Sequence, residues 1–411
     1  MWYEFYYDSF LEGQYTFRIA EMHRKYGPIV RISPYELHID DPEYYETLYS
    51  RDTPRNKSLH LTGMFGAPAS AFGSVDYRCH RMRRQPMNPF FSQQRIRRLE
   101  PMLRGMVDKL CNGMRVWKDR HAPLHVYHAF NAFTTDVVVE YTMGESFHYL
   151  DDPDFSPQWS KTIQAIVHAG MQFKQFRWVI SLFELLPRWL VVSINPDIGL
   201  VVDQKIESMR LASLVIDSQS PDSISKGDRA SVPKGTLFHA FLESTLPPEE
   251  KAADRLSQEV FTVVVAGGET TAKNLATITF HLLNNPKKLQ KLREELNRLD
   301  PDGTASLVEY EAMPYLKVLG LIGCEEAQVL HRWARGSDSR GHGGSGVLGF
   351  AEPILRGTLD NAEPILRGSL VDADLSCEVV LLTQHLPARI VVDADLSCEV
   401  VLLTQHLPAR I

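Results

Sequence analysis

The amino-acid sequence predicts a mainly α-helical fold with small β-sheets for its first 319 residues. Long stretches there carry apolar residues at helical spacing, and one short stretch rich in β-branched residues has the pattern of a hairpin. The chain has 411 residues, 44% hydrophobic and 23% charged, which excludes collagen-like and wholly disordered proteins. Its net charge of -7 gives no general attraction to nucleic acid or anionic lipid.

Cysteine usage and apolar segments exclude further classes. Five cysteines in 411 residues do not make a disulfide framework, and no pair has the C-x-x-C spacing of a zinc ribbon. The first residues lack the pattern of a signal peptide. The most apolar stretch, Trp178 to Ile194, is interrupted by Glu184, Pro187 and Arg188. We therefore expect no membrane-spanning helix and, from the sequence as written, a cytoplasmic protein.

The predicted elements begin with a hairpin at Ile29–Ile39, which bends at Ser33-Pro34. A helix starts after Asp41, because proline is tolerated in a first helical turn. Three longer stretches have the helical spacing of apolar residues, namely 76–118, 128–148 and 158–216. A polar stretch from Asp217 to Gly235 predicts a surface loop.

One short and two longer helices are predicted next. Leu237–Leu246 is the short one. A long helix opens at Pro247, with acidic residues in the first turn where the helix dipole favours them, and ends at Asn285-Pro286. A charged amphipathic helix follows from Lys287 to Leu299.

The composition changes near Leu319. From Gly320 onward the chain contains only two aromatic residues and no Tyr, Lys or Met. Residues 336–349 are rich in glycine, which is typical of a flexible linker. The sequence therefore predicts a core at 1–319, an aberrant glycine-rich linker at 320–350 and a tail at 351–411.

The tail consists of duplicated sequence. Ala351–Gly357 recurs as Ala362–Gly368, and Val371–Ile390 recurs without a change as Val392–Ile411. Repeat folds usually have one period and three or more copies, whereas this tail has two periods with two copies each. A recent duplication in the DNA is the favoured interpretation, and a small repeat module is the alternative.

A distinctive segment lies in the long helix, where Gly267 and Gly268 precede Glu269, Thr270 and Thr271. Two adjacent glycines inside a helix cost about 1 kcal/mol each relative to alanine. One interpretation is a local distortion of the helix that lets a flat ligand approach the backbone, while Glu269 and Thr270 take part in proton transfer. The alternative is a tight helix crossing that needs small residues, with a threonine hydroxyl bonded to the carbonyl four residues earlier.

A second distinctive segment is rich in arginine. Residues 78–98 contain seven arginines and no acid. His80 and Arg84 are four residues apart and share a helix face, so they could grip one anionic group. The alternative is a solvated basic face. Nucleic acid is not an expected partner, because the chain shows no alternation of aromatic and basic residues and no known binding motif.

Together these segments resemble the cytochrome P-450 superfamily, the haem-thiolate monooxygenases. Ala266–Thr271 is similar to the family's oxygen-activation motif, (A/G)-G-x-(D/E)-T-(T/S). His80–Arg84, followed by Pro89–Ser92, resembles the helix that holds the haem propionates. Tyr26–Ile32 resembles the first sheet, and Met313–Leu316 the approach to the next conserved helix. These segments are similar to those of fungal enzymes of secondary metabolism of the trichodiene oxygenase type.

The resemblance implies a haem (heme) cofactor and a role for each matched residue of the long helix. Thr270 would donate a hydrogen bond to the dioxygen that the haem activates. Glu269 would relay protons from solvent, as a positioned acid should. Ala266 and Gly267 would lie against the face of the haem.

The resemblance also implies that His80 and Arg84 hold the haem propionates. Phe173–Ile194 would form part of the substrate roof and contact a membrane surface, although it could equally be ordinary core. The expected partners are an apolar small-molecule substrate and an NADPH–cytochrome reductase. The expected location is the surface of the endoplasmic reticulum membrane.

Two motifs of the family are missing. Its iron ligand is the cysteine of F-x-x-G-x-R-x-C-x-G, whose thiolate favours O–O cleavage, and no such segment exists here. Cys377 and Cys398 are each followed by an acid that disfavours the thiolate, so we identify no metal ligand. The E-x-x-R pair expected soon after Leu316 is also missing. Glu295 and Arg298 have its spacing but come too early, and we interpret them as a surface pair.

The function expected by resemblance is a haem-dependent monooxygenase that hydroxylates an apolar small molecule, with a terpenoid secondary metabolite as one candidate. Because the cysteine loop and the E-x-x-R pair are absent, we expect the chain as written to be inactive. The alternative is a non-catalytic remnant, altered after about Leu319 by a change of reading frame, that binds no haem. Sequencing the transcript across codons 315 to 335 tests that change of frame, and a clean reading with no alternative frame encoding E-x-x-R would exclude it.

Overall fold

The computed structural model describes residues 2–316, except 12, 49, 51, 63–65, 177 and 219–234, and three strand segments at 378–384, 388–393 and 400–405. The predicted linker at 320–350 and the rest of the tail lie outside the described residues, as do Cys324, Cys377 and Cys398. Most of the predicted loop at 217–235 also lies outside them. The division of the chain near residue 319 therefore stays a prediction.

The first hundred residues form short helices and the predicted hairpin. β1 (Ile29–Arg31) pairs antiparallel with β2 (Leu37–Ile39), so that Ile29 lies opposite Ile39. Asp76 caps a helix here, because its carboxylate accepts a hydrogen bond from the backbone N–H of Cys79 at 2.9 Å. The helices are α1 (Trp2–Phe5), α2 (Tyr15–Tyr26), α3 (Tyr44–Leu48), α4 (Leu59–Thr62), α5 (Tyr77–Arg84) and α6 (Gln93–Arg97).

Longer helices build the rest of the described chain, which confirms the mainly α-helical fold. The predicted helical stretch at 158–216 is divided by Pro187 and Pro196, each of which lies where one helix gives way to the next. The helices are α7 (Glu100–Asp119), α8 (Val126–Met143), α9 (Pro157–Gln175), α10 (Trp178–Leu185), α11 (Arg188–Ile194), α12 (Pro196–Ser218), α13 (Leu237–Glu243), α14 (Ala253–Leu283), α15 (Pro286–Leu299) and α16 (Leu307–Glu311).

The central helix α14 begins later than the sequence predicts. A 3-10 turn occupies Pro248–Lys251, and Ala252 then adopts an extended conformation with ψ of 149°, which separates that turn from the helix. The predicted start at Pro247 was therefore wrong. The predicted end is confirmed, since α14 stops before Asn285-Pro286 and α15 begins with that proline.

Two hydrophobic clusters share α14 and α8. The cluster on the side of α7 and α15 includes Leu275 and Phe133, both fully buried. The cluster on the side of α9, α12 and α13 includes Val264 and Phe238. Because both central helices contribute to both clusters, their mutual position sets how the two halves of the core meet.

The two central helices cross at the adjacent glycines of α14. A Cβ atom on Gly267 would lie 2.7 Å from Cγ2 of Val138, and one on Gly268 would lie 2.7 Å from the hydroxyl of Thr135. The hydroxyl of Thr134 donates to the carbonyl of Gly268 at 2.9 Å, which ties α8 to α14 at this point. Both glycines therefore lie at a tight helix crossing that leaves no space for a side chain, as one of the two interpretations of this segment expected.

The expectation that Glu295 and Arg298 form a surface pair was wrong for the glutamate. Glu295 is buried, and its two carboxylate oxygens accept hydrogen bonds from the backbone N–H groups of Tyr315 and Leu316 at 3.0 and 2.9 Å. A buried carboxylate is stable only with such partners. Glu295 thus fixes the segment that follows α16.

The duplicated tail contributes three strands. β3 (Glu378–Gln384) lies between β4 (Ala388–Asp393), which is antiparallel to it, and β5 (Val400–Gln405), which is parallel. In the parallel pair residues 379–384 of β3 lie opposite their own copies, for example Val379 opposite Val400. Within the described part of the chain, we find no helix that is long and apolar enough to cross a membrane.

We expect Gly267→Ala to lower the free energy of unfolding by about 1–2 kcal/mol, because the new methyl group meets Val138 and overpacking outweighs the helix propensity gained. Gly105→Ala is the matched control, since Gly105 lies on the exposed face of α7 with open space around it and should gain about 0.5–1 kcal/mol. Urea unfolding followed by circular dichroism measures both. Equal effects of the two substitutions would contradict the close crossing.

Candidate functional site

The open face of α14 carries Ala266 and Thr270. Both residues are exposed, lie one helical turn apart and point away from the crossing with α8. The hydroxyl of Thr270 donates to the carbonyl oxygen of Ala266 at 2.9 Å, as the alternative interpretation of the motif expected. An exposed alanine beside an exposed hydroxyl leaves room for a flat ligand with one polar contact.

Gly267 and Glu269 lie on other sides of the same helix. The Cβ direction of Gly267 faces Val138 of α8, so only its backbone could reach the open face beside Ala266. Glu269 is half-buried and accepts a short hydrogen bond from the hydroxyl of Tyr127, near the start of α8. Burial raises the pKa of Glu269, while the hydrogen bond from Tyr127 and the charge of Lys273 act in the opposite direction.

Tyr127 is a residue that the sequence analysis missed. Burial and the charge of Glu269 raise the pKa of its phenol far above the usual value, so it keeps its hydrogen and acts as a donor. Its side chain reaches the carboxyl group across 142 positions of sequence. Nothing local in the sequence distinguishes Tyr127 from an ordinary core tyrosine.

His80 lies on α5 beside a lysine that the sequence analysis also missed. Its Nδ1 atom is 2.8 Å from the carbonyl oxygen of Ala71 and 3.1 Å from Nζ of Lys57. Burial lowers the pKa of His80, which keeps the ring neutral at neutral pH. Because the carbonyl oxygen of Ala71 can only accept, Nδ1 carries the hydrogen, so Nε2 of the neutral ring is an acceptor and donates to an anion only when the ring is protonated.

The guanidinium of Arg84, also on α5, is suited to an anionic partner. Its Nη1 atom is buried and has no hydrogen-bond partner among the described residues. Burial lowers the pKa of its guanidinium, which packs 5.6 Å from the ring centroid of Phe91. A buried, unsatisfied guanidinium nitrogen is costly, and a carboxylate ligand such as a haem propionate would satisfy it.

The neighbouring Arg83 shows the contrast. Its guanidinium makes two hydrogen bonds to the carboxylate of Glu250, each at 2.8 Å, and Arg255 approaches the same carboxylate at 3.1 Å. Arg255 also donates to the buried Glu259 at 2.7 Å. These residues hold α5 against the start of α14, so they serve the fold rather than a ligand.

Neither cysteine among the described residues is placed as the thiolate ligand of a haem iron. Cys111 is fully buried inside the core, and Cys79 is a half-exposed residue on α5 with its Sγ 3.9 Å from the hydroxyl of Ser74. We find no group of three or more metal-binding side chains in the part of the chain that the structure describes. The described residues therefore fit the open face and the carboxylates of a haem but supply no cysteine thiolate for its iron.

A separate apolar surface lies on α10 and α11. Leu185 and Trp189 are 83% and 70% exposed, and Trp178 and Leu182 lie on the same two-helix segment. Phe176, just before α10, contacts the ring of Trp2 with centroids 5.9 Å apart, which extends the surface to α1. Contiguous exposed aromatic and aliphatic groups of this kind are typical of an interaction surface.

Comparison with known proteins decides which family can account for this arrangement. The family model described as Cytochrome P450 matches residues 2–319. The chain belongs to the cytochrome P450 family. The family implies a haem cofactor, and the predicted resemblance is thereby confirmed.

The relatives of this P450 are fungal. Cytochrome P450 monooxygenase MO6277 of Ascocoryne sarcoides is 40% identical, with 77% of this chain and 63% of the relative covered. Tryptophan 6-hydroxylase fscE of Fusarium equiseti is 41% identical, with 77% and 61% covered. N-acetyltryptophan 6-hydroxylase ivoC of Emericella nidulans is 36% identical, with 77% and 61% covered. The matched region thus spans a little over 60% of the length of these relatives.

A solved structure supports the fold of this P450. The crystal structure of a cytochrome P450 (CYP102L1) superposes with a TM-score of 0.54 at 14% sequence identity, covering 74% of this chain and 63% of that one. At this identity the likeness concerns the fold alone, which agrees with the mainly helical core and its small hairpin.

We expect Arg84→Met and Arg83→Met to differ sharply in stability. Arg83→Met should cost about 2–3 kcal/mol, because it removes both hydrogen bonds to Glu250 and leaves that half-buried carboxylate with Arg255 alone. Arg84→Met should change the free energy of unfolding by less than about 1 kcal/mol, because it removes a buried charge that has no partner on Nη1. Urea unfolding of the full chain measures both, and a larger loss for Arg84→Met would show that Arg84 serves the fold.

Proposed function

We propose that this P450 chain derives from a haem-dependent monooxygenase that hydroxylates an apolar small molecule. The observation that carries the proposal is the open face of α14, where Ala266 and Thr270 are exposed, on the helix whose motif matches the family. A terpenoid is one candidate substrate. The relatives named as tryptophan and N-acetyltryptophan 6-hydroxylases favour an aromatic ring as the second candidate.

The proposed roles follow from the chemistry of the side chains. Bound haem supplies the oxidising chemistry in this family. Arg84 would satisfy its buried Nη1 with one carboxylate. The other carboxylate would favour the protonated form of His80, whose Nε2–H would then donate to it while Nδ1–H stays bound to Ala71. Ala266 would lie against the flat ring. Gly267 is proposed to do so through its backbone, since the side-chain direction of this residue faces Val138.

Two residues of α14 would handle protons. The hydroxyl of Thr270 can turn from the carbonyl of Ala266 to donate to a molecule on the open face. Glu269 would act as the acid, because burial favours its protonated form. An electron-supplying NADPH–cytochrome reductase is the proposed partner on the ground of family membership.

We propose further that the 411-residue chain performs no turnover. Its sequence contains neither F-x-x-G-x-R-x-C-x-G nor an E-x-x-R pair after Leu316. The proposed unit with function is 1–319, and the linker at 320–350 and the tail at 351–411 are proposed to add no site residue. The alternative, a remnant that binds no haem at all, is supported by the same absence of a ligand motif.

Haem binding separates these two possibilities. We expect the purified chain with added haemin, after reduction and addition of carbon monoxide, to show no absorption band at the position typical of thiolate-ligated haem, because the ligand motif is absent. A Soret shift without the thiolate band would support a retained haem cleft, and no shift would support the remnant. A thiolate band would overturn the proposed loss of the ligand.

A chimaera tests the residue roles within the same experiment. Residues 320–411 are replaced by the C-terminal segment of the Fusarium equiseti relative, which should restore the thiolate band. Thr270→Ala in that chimaera should release more hydrogen peroxide per NADPH consumed, whereas Thr277→Ala, an exposed threonine of α14 with the same backbone hydrogen bond, should not. A chimaera that binds haem but is indifferent to Thr270→Ala would remove Thr270 from the mechanism.

We also propose that α10 and α11 contact a membrane surface, as expected of an enzyme at the endoplasmic reticulum. The support is the exposure of Trp178, Leu185 and Trp189 on one segment. Replacing all three with serine should lower binding to phosphatidylcholine vesicles by at least about tenfold, since each buries apolar area in the lipid. Tyr35→Ser is the control, because Tyr35 is 96% exposed on the hairpin turn. Flotation measures binding, and equal loss in both variants would contradict the proposal.

A further inference from the structure

The hydrogen bond between Tyr127 and Glu269 joins the two central helices at the acidic residue of the oxygen-activation motif. Tyr127 is the second residue of α8, and its hydroxyl donates to Oε2 of Glu269 on α14. We propose that Tyr127 is a positioning residue that holds the carboxyl group of Glu269 toward α8, away from the open face of α14, and controls whether that group keeps its proton.

The geometry of the crossing makes this contact possible. Gly267 and Gly268 lack side chains, so α8 packs directly against α14 one residue before Glu269. Thr134 fixes the same approach by donating to the carbonyl of Gly268. The side chain of Glu269 is thereby directed to a helix whose nearest polar group is a phenol, while Thr270 points to the opposite, exposed side.

Few charged groups compete with Tyr127 for control of this carboxyl group. Burial disfavours the carboxylate, Tyr127 favours it by donating a hydrogen bond, and Lys273 favours it through its charge from the next turn of α14. The rings of His125 and His128 lie 6.3 and 5.9 Å from the ring of Tyr127. Burial lowers the pKa of both histidines, that of His128 to about 4, so they are neutral at neutral pH and add little charge.

In the proposed reaction, Thr270 acts on the open face of α14, and Glu269 is held away from that face. Glu269 can deliver a proton to the open face only when it leaves Tyr127, and the strength of that hydrogen bond sets how readily it does so. This step rests on the proposed function, because it assumes that Glu269 serves as the acid. The positioning of Glu269 by Tyr127 does not rest on the proposed function, since it is a property of the chain without haem.

The test measures the protonation of Glu269 directly. Infrared spectra of the full chain without haem are recorded against pH, and subtraction of the Glu269→Gln spectrum isolates the carboxyl band of Glu269. In Tyr127→Phe the carboxylate loses its donor, so the midpoint should rise by about one pH unit and the protonated form should persist to higher pH. Tyr149→Phe is the matched control, because the pKa of its buried phenol is also raised by burial, and among the described residues its hydroxyl has no hydrogen bond to a carboxyl group. Its bond to Asp136 comes from the backbone N–H, which the substitution leaves in place.

Two outcomes would overturn the proposal. One is an unchanged midpoint in Tyr127→Phe, and the other is the same rise in Tyr149→Phe. Should Tyr127→Phe fail to fold, 3-fluorotyrosine introduced at position 127 keeps the shape of the side chain but makes the phenol a stronger donor, so the midpoint should fall instead of rise. An unchanged midpoint with the fluorinated residue contradicts the proposal equally.

Unfolding gives an independent measurement. A raised carboxyl pKa in the folded chain means that stability falls as pH rises from the unfolded value toward the folded one. The loss of stability that Tyr127→Phe causes at neutral pH should be smaller in the Glu269→Gln background, because the amide oxygen accepts only a neutral hydrogen bond. The expected coupling is at least about threefold in the unfolding equilibrium constant. A chimaera that binds no haem would remove the proposed function and leave this result unaffected, so the two failures are distinguishable.

Discussion

The close crossing of α8 and α14 is the constraint on which the rest of the structure depends. It requires two positions without side chains, Gly267 and Gly268, and once the helices touch there every other residue of the motif has its direction fixed. Glu269 turns toward α8, and Thr270 turns toward open space. The packing requirement of the motif is thus met in an uninterrupted helix, so the interpretation as a tight crossing holds, whereas the local distortion is not seen and the roles of Glu269 and Thr270 stay a prediction.

Two adjacent arginines of α5 likewise divide between packing and a proposed ligand. Arg83 makes two hydrogen bonds to Glu250 and so holds α5 against the start of α14. The adjacent Arg84 has a buried Nη1 atom without a hydrogen-bond partner among the described residues. An unsatisfied buried cation opposes folding, and sites of this kind persist in proteins where a ligand makes use of them. Of these two adjacent arginines, we propose only Arg84 for binding a ligand. Arg255 also has buried nitrogens without a hydrogen-bond partner, but its guanidinium lies against the carboxylates of Glu250 and Glu259.

Local features of the sequence were sufficient for much of the fold and for part of the site. The hairpin at residues 29–39 and the end of α14 follow from turn chemistry and proline, and both were predicted. Tyr127 and Lys57 were not, because their contacts with Glu269 and His80 join distant positions that only the helix crossing and the loop before α5 bring together. Glu295 was misread, since spacing alone cannot tell a solvated carboxylate from one that accepts two buried amides.

That carboxylate has a consequence for how the core can be extended. By clamping the amides of Tyr315 and Leu316, Glu295 sets the point and the direction at which the backbone leaves the core, just before the change in composition near Leu319. The exit is thus determined entirely by residues upstream of that change. Any C-terminal segment, native or grafted, therefore begins at the same anchored junction.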